Sequence, residues 1–405
     1  MLLHHRRRRL ARRHKDESLP DGIKLLAWAR AVRWIGWGFG EALLPVFILL
    51  FSKTFAEMGL FSSTVDIASL VCLPIIGMWA DRVPARRLVL WSLALYPLVG
   101  LSYLFAGIWG AAIFIVIARV INGLTWELEN VGIETYYRRE SDHRKIAASF
   151  GYVETWSHVA WVVASLVGIL LVHFFPIHWL LFGIAPFSVI AFFMVLRAPK
   201  DPIHRVHEAK ATFMRSFGRT LGEWRTWNSR LWLLGLLVFF SSIISSLMYF
   251  FIPVDAFLQG ANLPMVVLIT VFGSIPALFG YHLGRIADEN NKYRLIALGL
   301  AGVAAIALGL AVIQFYWFKL VAMFFMGIIL ELFFVAESSL VTTLGPEETY
   351  GERGSAFEII TVLGDLVAPL ILGISLDLFG FNIVALLVAA TAAVLGFVYR
   401  AVRSR

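Results

Sequence analysis

One cysteine, Cys72, is all the thiol chemistry that 405 residues contain. The chain therefore cannot close an internal disulfide or build a thiolate metal cluster. Charge is nearly as scarce: Asp, Glu, Lys and Arg make up 15% of the residues, against 59% hydrophobic. A soluble domain carries about a quarter of its residues as charges to cover its surface, so a soluble globular protein is excluded. The short alternating strands of a membrane barrel are missing. So are the HExxH, Walker and GxSxG patterns of zinc peptidases, P-loop NTPases and serine hydrolases. No enzymatic activity, cofactor or metal is expected. A signal peptide is also not evident: the first apolar segment is full length, carries Glu41 and has no small-residue cleavage site.

What is present in abundance is apolar run. Twelve segments long enough to cross a bilayer core as helix follow one another: 34–52, 61–79, 88–106, 111–128, 147–172, 177–196, 231–252, 264–283, 295–315, 317–336, 356–379 and 382–399. Lipid offers backbone groups no partner outside the segment, so helix is the expected form. The glycines at 36, 38 and 40 fall inside the first run, where they permit close helix packing and do not form a nucleotide loop.

The formal charge of +8 is distributed unevenly. Of 35 Lys and Arg, 32 fall on the termini and the even-numbered loops; Lys53 and Lys319 alone occupy the odd-numbered loops, and Arg119 is inside a helix. This asymmetry places both termini in the cytoplasm of a cell-membrane protein. The tail "HHRRRRLARRHK" is then a basic segment near anionic lipid, and no nucleic-acid partner is expected.

The turn "GMWADRVPARRL" (77–88) returns as "GRIADENNKYRL" (284–295), aligning Gly77, Asp81 and Arg87 with Gly284, Asp288 and Arg294 at an offset of 207. A second pair, "NGLTWEL" (122–128) and "MGIILEL" (326–332), aligns Gly123 with Gly327 and Glu127 with Glu331 at an offset of 204. Two matches at nearly one offset predict a duplicated six-helix unit in parallel orientation. The expected organisation is a tail and lead-in (1–33), an N-terminal bundle (34–196), a cytoplasmic linker (197–230) with an interfacial amphipathic helix over 212–227, a C-terminal bundle (231–399) and a short tail (400–405).

On these residues the chain resembles the major facilitator superfamily. The first turn is similar to the family signature G-x-L-[AG]-D-[RK]-x-G-[RK]-[RK]-x-[LI] through Gly77, Ala80, Asp81, Arg82, Arg86 and Leu88. Trp79, Pro84 and Ala85 depart from it, and Glu289 replaces the basic residue in the second copy. The resemblance implies an all-α fold of twelve membrane helices in two parallel halves. It also implies a gating role for Gly77, Asp81, Arg82, Arg86, Gly284, Asp288 and Arg294, with Asp81 facing the N-terminus of the eleventh helix near Gly354. "IARVING" resembles the family's l-x-x-x-R-x-x-q-G through Ile115, Arg119, Asn122 and Gly123, which implies that Arg119 takes part in proton coupling. The family's antiporter Gly-Pro pattern on the fifth helix is absent, since "VAWVVASLVGIL" contains only Gly168.

Ionisable side chains within membrane helices cost at least about 2.5–3.5 kcal/mol each at mid-depth, so each needs a purpose. Arg119, Glu127, Asn130 and Glu134 share one helical stripe. Glu154 and His158 are i, i+4, and Glu41 is near mid-depth. Glu41, Arg119, Glu127, Glu154 and His158 are the candidates for proton coupling or the substrate pathway, as are Glu331 and Asp365 in the second half. Asp66 and Asp255 are expected near outer helix ends, facing water, and Trp37, Trp126, Trp156 and Trp161 as walls of an apolar pocket. The expected function is transport of a small organic compound by alternating access, proton-coupled and with efflux favoured, by a monomer in the lipid bilayer. Uptake by symport or facilitation, and a receptor or lipid-handling scaffold without net transport, are the alternatives.

Overall fold

The computed structural model describes residues 20–140, 146–199, 222, 224–343 and 350–403, and their regular structure is helical throughout. The first rod, α1, spans Asp21–Leu49 and is broken by a 3-10 turn at Glu41–Leu43. It is followed by α2 (Phe55–Arg82), α3 (Ala85–Trp109), α4 (Ile113–Glu140), α5 (Ile146–Leu171) and α6 (Ile177–Val195). After the basic segment come α7 (Ser229–Leu258), α8 (263–289), α9 (Lys292–Val312) and α10 (Tyr316–Thr343). The last helical stretch, Tyr350–Arg403, breaks at Gly380 (φ 73°, ψ 167°) into α11 (350–379) and α12 (381–403).

Local chemistry sets the helix starts. Side chains of Thr54, Asn228, Asn262 and Asn291 accept the first free N–H groups of α2, α7, α8 and α9. Pro20, Pro84 and Pro176 precede α1, α3 and α6. Gly110 closes α3 in the left-handed region at φ 65°.

Prolines also set the irregularities. A helical proline lacks a donor for the carbonyl four residues earlier and crowds it. Pro45 lies four residues after Glu41, where α1 breaks; Pro253 four after Tyr249, inside the π-turn Leu247–Phe251; and Pro369 four after Asp365. The backbone is therefore loosened at three residues that reappear below.

Among the described residues, nine helices are long and apolar enough to cross a membrane. That differs from the twelve expected spans for physical reasons. α4 carries Arg119, Glu127, Glu129 and Glu134; the apolar part of α8 is only Leu263–Phe279; and α11 and α12 run together with no loop. α1 begins at Asp21, well before the expected Trp34. The basic tail (1–19) and most of the expected amphipathic helix 212–227 lie outside the described residues.

Within the first half α1 packs on α5 and α6, α3 on α4 and α6, and α2 on α4. In the second, α9 packs on α10 and on the α11–α12 stretch, which also receives α7, and α8 packs on α10. The two halves use glycine alike. A Cβ at Gly123 of α4 would collide with the Val65 carbonyl of α2, and one at Gly327 of α10 with the Gly273 carbonyl of α8.

Arg139 donates to the Ala80 carbonyl at 2.8 Å and the Tyr399 hydroxyl to the Leu233 carbonyl at 2.9 Å; these contacts mark the near end, where the termini emerge. At the opposite, far end the halves meet. α2 crosses α11, with Gly59 against the Pro369 carbonyl and Gly373 against the Phe55 carbonyl, and Ser63 Oγ donates to the Leu366 carbonyl at 2.6 Å.

Candidate functional site

The helix break in α1 presents Glu41, whose Oε2 accepts the indole N–H of Trp161 on α5 at 2.6 Å. Two to three turns nearer the termini, α1 buries two arginines. Arg33, 1% exposed, pairs with Glu129 of α4 at 2.8 Å, and its guanidinium lies over the rings of Trp34 and Tyr96 at 4.8 and 4.9 Å. Arg30 pairs with Glu154 of α5 at 3.2 Å and donates to Asn130 of α4 at 3.2 Å. His158 stacks beside Trp34, and its Nδ1 lies 2.9 Å from the Glu154 carbonyl. Three helices are thus joined through charges that lipid could not solvate.

Sequence reasoning missed the central members of this network. Arg30 and Arg33 were assigned to the basic lead-in, and Glu129 was not singled out. The available signal was that the apolar run containing both arginines starts near Ile23, not Trp34. Glu41, Glu154 and His158 do share the first half, as expected, but Arg119 does not join them in ion pairing. It donates from Nη2 to the Ser62 carbonyl at 2.7 Å and from Nε to the Phe61 carbonyl at 3.3 Å, both on α2. Its charge still acts on Glu41 and on Asp66. Ser69 of α2 donates to the Gly123 carbonyl, one turn before Glu127 on α4, at 3.3 Å.

A cavity of about 570 Å³ opens elsewhere, between the middle of α7 (238–249) and the halves of α10 (330–341) and α11 (357–365) nearer the termini. Its wall contains Glu331, Glu337, Glu358 and Asp365, so two expected site residues do line a cavity, and two further carboxylates join them. The tryptophans expected to line a pocket do not line this one. Trp161 holds Glu41, Trp156 packs on Trp28 at 4.5 Å, Trp126 packs edge-on to Trp34, and Trp37 is buried against Tyr96.

At the far end Asp377 of α11 accepts the backbone N–H groups of both Phe55 and Ala56 at 2.8 Å. It fills the N-terminus of α2 from the other half. Asp255 does not simply face water: it pairs at 2.5 Å with Lys319, which is 1% exposed and also donates to Gln259 at 2.7 Å.

The repeated turns occupy the near ends of α2 and α8. The side chains of Asp81 and Asp288 lie outside the described residues. Arg86 bonds within its own half, from Nε to the Val195 carbonyl at 3.0 Å and from Nη2 to the Leu196 carbonyl, thereby capping the end of α6. Arg82 is exposed, a Cβ at Gly77 would meet nothing within 4 Å, and Gly284 faces Val335. Arg294 is exposed, its backbone N–H held by Asn291, and Arg285 pairs with Glu289 at 2.7 Å. Among the described residues no three His, Cys, Asp or Glu side chains converge as a metal site.

Residues 26–356 match the Major Facilitator Superfamily by sequence profile. No curated protein matches the chain by sequence. Solved structures do match over nearly its whole length. The nucleoside transporter NupG superposes with a TM-score of 0.77 at 16% identity, covering 94% of this chain and 99% of that one. A bacterial homologue of the human lysosomal transporter Spinster, inward-facing and occupied, gives 0.73 at 14% identity, covering 93% and 96%. A D-xylose–proton symporter gives 0.71 at 13% identity, covering 93% and 97%. At these identities the likeness is one of fold.

Proposed function

We propose that this chain, which belongs to the major facilitator superfamily, is a secondary transporter that carries a small organic compound by alternating access and couples it to protons. The carrying observation is an asymmetry between the ends. Contacts between the halves gather at the far end, through Gly59, Ser63, Gly373 and Asp377, whereas the cavity lies toward the near end. That is the geometry of one state in a two-state cycle, closed on one face and accessible from the other. With both termini in the cytoplasm of the cell membrane, as the Lys and Arg distribution favours, the state is inward-open.

Proton coupling is supported by carboxylates in the pathway that form no ion pair with an arginine or lysine among the described residues. Glu331 and Asp365 are on the cavity wall, and Glu41, at a helix break, accepts from an indole. Such groups can alternate between neutral and charged forms as the halves move, whereas Glu129 and Glu154, committed to Arg33 and Arg30, serve as fixed struts. Exchange in the efflux direction follows from the Arg119 pattern. Import by symport is the second reading, favoured by the sugar–proton symporter among the structures of the same fold.

Purified protein reconstituted into liposomes tests the reading. A compound panel supplied with and without a pH gradient is expected to yield at least one saturable flux that the gradient accelerates. Saturable binding with no flux of any compound would make the chain a receptor on a transporter fold.

A further inference from the structure

Resting on the transport reading above, we infer that the cavity between α7, α10 and α11 takes an extended organic cation: an amine or quaternary ammonium compound with an apolar body. The cavity, at about 570 Å³, has the size of a small-molecule site. Its wall combines three kinds of group. Glu331, Glu337, Glu358 and Asp365 are acidic, and among the described residues no lysine, arginine or histidine lines it. Tyr249, Phe334 and Phe357 supply aromatic surface, the partner that a desolvated ammonium prefers. Serines of α7 complete the polar side, and the Ser241 hydroxyl oxygen is shielded from solvent with no hydrogen-bond partner.

The facing half adds to the imbalance. Glu127 on α4 lies close enough to Glu358, and Asp66 on α2 to Asp365, for the members of each pair to repel one another. The positive groups within reach are Arg119, which is bound to α2 carbonyls, and His158, whose charge when protonated acts on Glu331. The arginines Arg30 and Arg33 are already matched to Glu154 and Glu129. Six carboxylates in a partly dry pathway repel one another unless protons or a cation relieve them. An anion would add a seventh negative charge, and a neutral sugar or nucleoside would relieve nothing.

The spacing selects the shape of the cation. Glu331 and Glu337 are six residues apart on α10, and Glu358 and Asp365 seven apart on α11, or roughly 9–11 Å along the axes. Among the described residues no three acidic side chains converge as ligands for one metal ion. A compact divalent cation therefore cannot satisfy them, and an elongated molecule lying along the cavity can. Protons and this cation compete for the same oxygens, so occupancy by one favours release of the other, which amounts to exchange.

Equilibrium binding to the purified full-length protein tests this, using radiolabelled decamethonium and propranolol as cations, uridine and xylose as neutral compounds, benzoate as an anion and Mn²⁺ as a metal. Saturable binding is expected for a cation only, weakened on the order of tenfold for each of Glu331→Gln, Glu337→Gln and Asp365→Asn. Size-exclusion profiles and melting curves matched to the parent protein confirm that the variants are folded. Saturable binding of a neutral compound or benzoate in preference to both cations overturns the inference, as does tight Mn²⁺ binding or cation binding that all three substitutions leave unchanged. Liposome flux separates the two claims. Flux of a neutral compound defeats the cation and keeps the transporter; carboxylate-dependent cation binding with no flux keeps the site and defeats transport.

Discussion

The carboxylate of Asp377 accepts the backbone N–H of Phe55 at 2.8 Å, although 322 positions separate them and they belong to opposite halves. The same carboxylate takes the next N–H, that of Ala56, at 2.8 Å. An acidic side chain from α11 thus does for α2 what a capping residue does for its own helix, and meets the positive end of its dipole. Family resemblance assigns Asp81 the mirror-image task, at the near end of α2 toward the start of α11. Two antiparallel helices would then each carry the latch for the other, one at each face.

Replacing Asp377 by alanine removes the far-end latch. Loss of a cap costs about 0.5–2 kcal/mol, which moves a two-state equilibrium by roughly a factor of 2 to 30 toward the far-end-open state. Spin labels at Lys53→Cys and Leu378→Cys, in a Cys72→Ser background, are expected to report a larger population of long distances. An unchanged distribution would reduce the contact to helix capping alone.

Breaking the Arg33–Glu129 pair leaves one charge buried and unmatched, a loss of about 3–5 kcal/mol. Arg33→Met and Glu129→Leu, made singly, are each expected to lower the melting temperature in detergent sharply. Made together, they are expected to recover most of that loss, because the desolvation penalty disappears with both charges. Single variants that melt like the parent would show that water reaches the pair.

Two glycines of similar sequence context are expected to behave oppositely. At Gly123 a methyl group collides with the Val65 carbonyl and lies 2.8 Å from the Ala68 side chain, an overpacking of about 1–3 kcal/mol. At Gly77 a methyl meets nothing within 4 Å, and alanine gains about 0.5–1 kcal/mol of helix propensity. Thermal melts of Gly123→Ala and Gly77→Ala measure the contrast directly. Gly77→Ala also separates the stability of its turn from any part it has in gating.

Proton coupling is expected to distinguish Glu41 from Glu154. Glu41→Gln is expected to abolish acceleration by a pH gradient while leaving counterflow exchange measurable. Glu154→Gln, which strands Arg30, is expected to act first on stability. Trp161→Phe, which removes only the indole donor, is expected to displace the pH profile of exchange without unfolding the protein. Full gradient stimulation in the Glu41→Gln, Glu154→Gln double variant would transfer coupling to Glu331 and Asp365.

The helical membrane architecture was legible because lipid imposes one demand on every residue of a span, and apolar run length meets it visibly. The Gly123–Gly327 correspondence was legible for a related reason: close backbone crossings accept only glycine, whatever surrounds them. The ion-pair network was not legible, because pairing is a relation between residues about a hundred positions apart, such as Arg33 and Glu129. Read one at a time, Arg30 and Arg33 look like more of the basic tail. Lys319 and Asp255 escaped in the same way, each looking solvated at a helix end until the other is placed beside it. Glu337 and Glu358 acquire meaning only when α10 and α11 enclose a common space.

Gly380 is the entire connection between α11 and α12, and its positive φ reserves the position for glycine. Beyond it α12 is clamped at both extremities: Asn382 accepts from Gln314 at 2.6 Å, and Tyr399 donates to Leu233 at 2.9 Å. There is no slack in such a hairpin, so under the proposed cycle a displacement that freed Asp377 would be carried along the rod to its other end. The consequence is practical as well as mechanical. An epitope tag placed after Gly380 would separate two rods that move as one, leaving a protein that reaches the membrane and folds but no longer relays motion from one face to the other.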